Sequence, residues 1–239
     1  MYKKVVSEKD TLNYWEQGSG EVLVFIPSLW ITDWSYRGII KKLSKHYKVV
    51  VPDLNRGRTR YDRVSWKLEN HVQKVKVLVD ILGLKKFVLV GMSFGGLVAL
   101  KYSQMFPSDT KITLSVSAMP LDYRGKSLRF VFGYFKSFFL NTFSLRGIVA
   151  NLMWVIDGAG YLVKHPRQFF FDGAMAVQDH RELLSVSAEV WVACRDEFVP
   201  RSSVITLFKG HGLDIKEIDG RHAWFFLEED RFVEEIKSL

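Results

Sequence analysis

One serine in this chain stands where it could act as a nucleophile. Gly91-Met92-Ser93-Phe94-Gly95-Gly96 has the form G-x-S-x-G, a sharp turn that lifts a serine hydroxyl clear of a strand end. The bare pattern is common, so its surroundings matter more. The apolar run Phe87-Val88-Leu89-Val90 precedes it and a helical pattern begins near Leu97, the strand–turn–helix order that such a turn requires. Gly91 and Gly95 suit the turn because side chains there would collide with the neighbouring strand and helix. A glycine-rich turn with an incidental serine is the plain alternative.

A serine hydroxyl attacks only when a base takes its proton, and the base must itself be held by an acid. In this setting the chain order runs serine, acid, histidine. Six histidines compete for the role of base. His222 lies in Ile218-Asp219-Gly220-Arg221-His222-Ala223-Trp224, just after the last expected strand, and is the choice. His211 precedes that strand, which puts it at the opposite edge. His46 and His71 lie near expected helix ends and read as surface groups, while His165 and His180 fall in a segment that breaks the strand pattern. Asp196 follows the strand Val190 to Ala193 directly and is the expected acid. Glu197, next to it, should point elsewhere, and Asp122 is the runner-up.

The elements that must position these residues follow from periodicity. Tyr2 to Val6 and Leu12 to Glu16 read as paired short strands, closed by Gly18-Ser19-Gly20. Val22 to Ile26, Val49 to Val51 and Phe87 to Val90 are apolar runs suited to strands buried on both faces, and Ile112 to Val116 is a further strand. Helical patterns lie between them, near Tyr36 to Lys45, Asn70 to Leu82 and Leu97 to Met105. From about Leu121 to His180 no strand is convincing and short aromatic-rich helices are expected. Strands resume at Val190 to Ala193 and Leu213 to Ile218, before a last helix near Glu228 to Lys237. This alternation predicts an α/β fold with a mostly parallel central sheet and helices on both faces. Residues 1–120 and 181–239 would form the core domain and 121–180 an inserted helical cap.

Composition narrows the classes of function. The 239 residues are 48% hydrophobic and 25% charged, which fits a folded domain and not disorder. No run approaches the ~20 apolar residues that span a bilayer, and the first ten residues lack the apolar core of a secretion signal, so a cytoplasmic location is the default expectation. Cys194 is the only cysteine, which excludes an internal disulfide and a Cys-based zinc site. With no H-E-x-x-H spacing, neither a metal nor another cofactor is expected. The net charge of +8 is not gathered into a basic block, so no nucleic-acid partner is expected.

With these motifs in hand, the chain resembles the α/β-hydrolase fold superfamily over almost its whole length. Gly91 to Gly96 looks like its nucleophile elbow, Asp196-Glu197-Phe198-Val199-Pro200 is similar to its D-x-x-V-P acid loop, and Gly220-Arg221-His222 looks like its G-x-H loop. Pro52-Asp53-Leu54-Asn55-Arg56-Gly57 resembles the loop after its second parallel strand. The resemblance is strongest to small capped esterases and lipases. It implies an oxyanion hole built from the backbone N–H groups of Leu29 and Phe94. One departure stands out. The family usually has His-Gly after the strand ending near Ile26, whereas this chain has Pro27-Ser28-Leu29-Trp30. Glycine suits loops with unusual dihedrals, so Ser28 must accept strain or the loop must take another shape.

The cap segment carries its own signal. Between Tyr123 and Phe171 lie thirteen aromatics and seven Lys or Arg against one acid, Asp157. Two readings stay open: a helical lid with an ordinary solvated face, or a surface that sits transiently against anionic lipid or accepts acyl chains. Either makes the pocket wall apolar, with Trp30, Met92, Phe138 and Phe139 as expected substrate contacts. The reaction expected is hydrolysis of a small-molecule carboxylic ester with a hydrophobic acyl part. The same three residues also suit thioester, lactone or C–C cleavage, or a ligand-binding protein with negligible turnover.

Overall fold

Alternation along the strands sorts their side chains between two cores. In β3 (Val22–Ile26), Val24 and Ile26 join one buried cluster, while Leu23 and Phe25 join the other. The computed structural model, which describes residues 2–6, 10–58, 67–117, 127–178, 180–199, 201–208 and 213–239, extends this division across eight strands. The others are β1 (Tyr2–Val6), β2 (Thr11–Gln17), β4 (Lys48–Arg58), β5 (Phe87–Met92), β6 (Thr110–Val116), β7 (Ala188–Ala193) and β8 (Leu213–Ile218). They form one sheet in the order β1-β2-β4-β3-β5-β6-β7-β8. β1 and β2 pair antiparallel, as does β2 with β4, and every later pairing is parallel.

Helices cover both faces of this sheet. α2 (Leu68–Ile81), α3 (Phe94–Met105) and α7 (Arg201–Phe208) pack on the Val24 side. α1 (Arg37–Leu43), α8 (Trp224–Leu227) and α9 (Glu229–Lys237) pack on the Phe25 side, where Trp191, Trp224, Phe225 and Phe232 are almost wholly buried. Each fully buried Val, Leu or Phe contributes about 1.5–3 kcal/mol, so the two clusters hold the sheet rigid where the loops must be placed. α2 ends at Gly83, whose φ of +62° supplies the left-handed turn there.

Between β6 and β7 the chain forms α4 (Ser127–Asn141), α5 (Leu145–Lys164) and α6 (Pro166–Ala176). Ser144 caps α5 by accepting from the Gly147 N–H at 3.0 Å, and Pro166 opens α6. No described helix is long and apolar enough to cross a membrane.

Two expectations change. β4 does not stop at Val51 but continues to Arg58, because β2 pairs with it past an irregularity between Leu12 and Tyr14; the segment from Pro52 to Gly57 is therefore strand and not loop. His71 is not a surface group. It is 4% exposed, and its Nε2 lies 3.1 Å from Asp172 Oδ1, which also accepts from Gln168, while Asp172 Oδ2 accepts from Tyr161. This buried cluster ties α2 to α5 and α6. Asp122, His211 and the boundary at 120–121 lie outside the described residues.

Candidate active site

The turn after β5 is strained as a nucleophile elbow must be. Ser93 has φ 52° and ψ −114°, a conformation that costs on the order of 1–3 kcal/mol for a residue with a side chain. The surroundings enforce it. Ser93 N–H donates to the Val116 carbonyl at the end of β6 at 2.8 Å, and Gly96 N–H donates to the Ser93 carbonyl at 2.9 Å. A Cβ on Gly91 would stand 2.1 Å from the Gly95 carbonyl oxygen, and one on Gly95 would stand 2.4 Å from that of Pro27. These close approaches let α3 start directly over the strand ends.

Three side chains from separate loops then meet. His222 Nε2 is 2.9 Å from Ser93 Oγ, and His222 Nδ1 is 2.7 Å from Asp196 Oδ2. The other Asp196 oxygen accepts from the Phe198 and Val199 N–H groups at 2.8 and 3.0 Å, which fixes the carboxylate. The Phe198 ring packs on the imidazole with centroids 4.5 Å apart.

Two further residues hold the histidine from its backbone. Ser117 Oγ donates to the His222 carbonyl at 2.7 Å, and Glu197 Oε2 accepts from the His222 N–H at 3.1 Å. Ser117 itself has a positive φ of 48°. Glu197, expected to point away, thus faces the histidine loop, with Arg221 Nε 3.8 Å from its other oxygen. Burial alone would pull the His222 pKa down. The charge and hydrogen bond of Asp196, joined by the charge of Glu197, outweigh it and raise the pKa above its ordinary 6.5.

The loop after β3 reaches its place by another shape than glycine would give. Its left-handed residue is Trp30, with φ 61°, and not Ser28. Ser28 Oγ and Tyr36 Oη are 2.6 Å apart, and the Ser28 N–H donates to the same phenol oxygen at 3.3 Å. The Tyr36 ring is fully buried. Trp30 stacks on Phe169 of α6 at 4.0 Å and its indole N–H donates to the Phe169 carbonyl at 3.0 Å. Asp157 of α5 accepts from the Thr32 N–H, the Thr32 hydroxyl and the Ser35 hydroxyl at 2.6–3.0 Å. The loop is thus pinned to the helical segment at several points. Among the described residues neither Leu29 nor Phe94 spends its backbone N–H on a protein acceptor.

These groups border an open cleft of about 680 Å³, solvent mouth included. Ser93, Phe94, His222 and Ser28 to Ile31 form one side; Tyr134, Trp154, Gly158, Phe198 and Phe225 form the rest. Among the described residues, no lining residue apart from His222 is ionisable in the neutral pH range. Of the expected substrate contacts, Trp30 lines the cleft. Met92 is fully buried in the core beneath it, Phe138 is half-buried, and Phe139 is 62% exposed and packs on Phe143. α4 turns Tyr134 inward, so Phe139 falls on its outer stripe. Tyr134 and Trp154 had no sequence signal beyond their aromatic character.

This elbow, with a histidine and an acid on the loops after β8 and β7, has the arrangement of an α/β-hydrolase site. The chain belongs to the alpha/beta hydrolase family, whose model matches residues 23–235. It is 30% identical over 121 residues to 2-hydroxy-6-oxo-2,4-heptadienoate hydrolase of Pseudomonas putida, a match covering 49% of this chain and 44% of that protein. It is 32% identical over 104 residues to pimeloyl-acyl-carrier protein methyl ester esterase of Wigglesworthia glossinidia brevipalpis, covering 43% and 39%. The chain therefore spans less than half the length of the curated relatives it matches. Among solved structures it is similar to Est816, described as an N-acyl homoserine lactone degrading enzyme, with a TM-score of 0.76, 18% identity and coverage of 99% of this chain and 100% of that one.

Proposed function

We propose that this hydrolase cleaves carboxylic esters with a hydrophobic acyl part through an acyl-enzyme on Ser93. The observation that carries the reading is the continuous contact from Ser93 Oγ through His222 to Asp196 at the edge of an apolar cleft. His222 Nε2 takes the serine proton as Oγ attacks the ester carbonyl. Asp196 keeps the second ring proton on Nδ1 and stabilises the imidazolium. The Leu29 and Phe94 N–H groups hold the oxyanion, a contribution of about 3–4 kcal/mol per donor in comparable sites. His222 then protonates the departing alcohol, and water cleaves the acyl-enzyme by the same proton route. The segment 121–180 serves as the lid over this cleft, with Tyr134 and Trp154 as acyl-chain walls.

A second reading, C–C bond hydrolysis, is favoured by the Pseudomonas putida relative, whose name specifies a dienoate. The lining argues for the ester, since among the described residues a substrate carboxylate would meet no Lys or Arg in the cleft and would lose its hydration uncompensated. Mass spectrometry after treatment with a fluorophosphonate tests the mechanism. The adduct is expected on the peptide containing Ser93, absent in Ser93→Ala and strongly slowed in His222→Ala. Failure to label, in a protein shown to be folded, would remove the acyl-enzyme from the account.

A further inference from the structure

We propose that the outer face of α4 and α5 docks onto a bilayer surface containing anionic phospholipid. The two helices are apolar on the wrong side for a water-facing segment. In α4, Leu128, Phe132 and Phe135 recur at helical spacing and are 67–75% exposed. In α5, Leu145, Leu152, Ile156 and Val163 do the same at 51–80% exposure. The inward faces carry small or polar residues, Gly133, Ser137 and Asn141 on α4 and Gly147, Ala150 and Asn151 on α5, beside the aromatic Tyr134, Trp154 and Tyr161. Amphipathic surface helices have the opposite arrangement. A continuous exposed apolar face of this kind marks an interaction surface.

Charge selects the occupant. Lys136, Arg146, Lys164 and Arg167 are exposed around this face. The acids of α4, α5 and α6 are Asp157 and Asp172 alone, and both point inward, to Thr32 and Ser35 and to His71 and Tyr161. The rim is thus cationic without a carboxylate from its own helices. An open groove beside the α4–α5 turn sets Phe143 and Leu145 next to Arg146, Arg195 and Arg221, with Glu228 on its wall and Arg195 paired with Asp219 at 2.9 Å. A second copy of the chain would bring the same positive rim and be repelled, whereas anionic headgroups neutralise it while the aromatic stripe enters the acyl boundary. No described helix can span the bilayer, so the mode is interfacial. The inner faces of the same helices supply Tyr134, Trp154 and Gly158 to the Ser93 cleft, which brings that cleft close to the membrane.

Flotation of Ser93→Ala with vesicles tests this independently of any turnover. Equal mixtures of phosphatidylglycerol and phosphatidylcholine are compared with phosphatidylcholine alone. The protein is expected to float with the anionic vesicles at least tenfold more than with neutral ones, and less as salt rises. Phe132→Ser/Phe135→Ser/Leu152→Ser should lose at least tenfold of that binding with an unchanged circular dichroism spectrum. Lys136→Glu/Lys164→Glu should abolish the preference for anionic lipid. Absence of flotation, or a wild-type dimer by light scattering that the apolar substitutions convert to monomer without vesicle binding, overturns the proposal.

Discussion

Glu197 follows Asp196 in sequence, yet its carboxylate meets His222 at the backbone, accepting the N–H at 3.1 Å while Asp196 holds the ring. Two carboxylates therefore act on one histidine, one setting the ring's orientation and the other the position of its loop.

This pairing predicts a pH effect. The base must be neutral, so activity falls as pH drops through the His222 pKa, which lies above 6.5. Glu197→Gln removes a negative charge that favours the imidazolium, so its acid limb in kcat/KM should move to lower pH. An unchanged profile would assign Glu197 a purely structural part.

Gly95→Ala places a Cβ 2.4 Å from the Pro27 carbonyl oxygen and 2.5 Å from that of Ile26. Backbone must shift on one side or the other. The expected cost is about 1–3 kcal/mol in denaturant unfolding, with turnover lowered about 100-fold by displacement of the elbow.

Asp157→Ala releases the loop bearing Leu29 from α5 by removing the acceptor for Thr32 and Ser35. Charge-assisted hydrogen bonds of this kind contribute about 1.5–3 kcal/mol each when fully formed. Asp157 is only half-buried, so a net loss of about 2 kcal/mol is expected, together with a fall in kcat larger than the change in KM. Asp157→Asn should recover part of both.

Asp172 predicts how the fold responds to acid. Burial would raise its pKa, but the hydrogen bond and charge of His71, with Tyr161 and Gln168, outweigh this and lower it below 3.8. A carboxyl depressed in the folded state adds stability above its unfolded pKa and loses it as pH falls through the folded value. Urea midpoints between pH 7 and pH 3 should therefore decline less steeply in Asp172→Asn than in the wild type, although the variant starts lower.

Much of the sheet was legible because parallel strands buried on both faces are continuous apolar runs, as in Phe87 to Val90. Ser93 and Asp196 could be picked out because each stands just after such a run, and His222 because it follows the last strand, Leu213 to Ile218; the structure brings the three into contact. Ser117 and Glu197 carried no comparable mark: which way a loop side chain turns depends on distant partners. The same limit applies to Phe139. Aromatic content pointed to the cap, but only the packing of Gly133 against the Asp196 loop, where a Cβ would stand 3.0 Å from the Glu197 carbonyl oxygen, decides which face of α4 looks inward. His71 was obscured similarly, since its buried partner lies 101 residues away.

The central claim is ester hydrolysis by Ser93, and p-nitrophenyl esters from acetyl to palmitoyl test it most directly. The account predicts turnover by the wild type, an optimum at an acyl chain longer than acetyl, and a loss of roughly 10⁴-fold or more in Ser93→Ala. Turnover that survives the substitution, or none at any chain length, would contradict it.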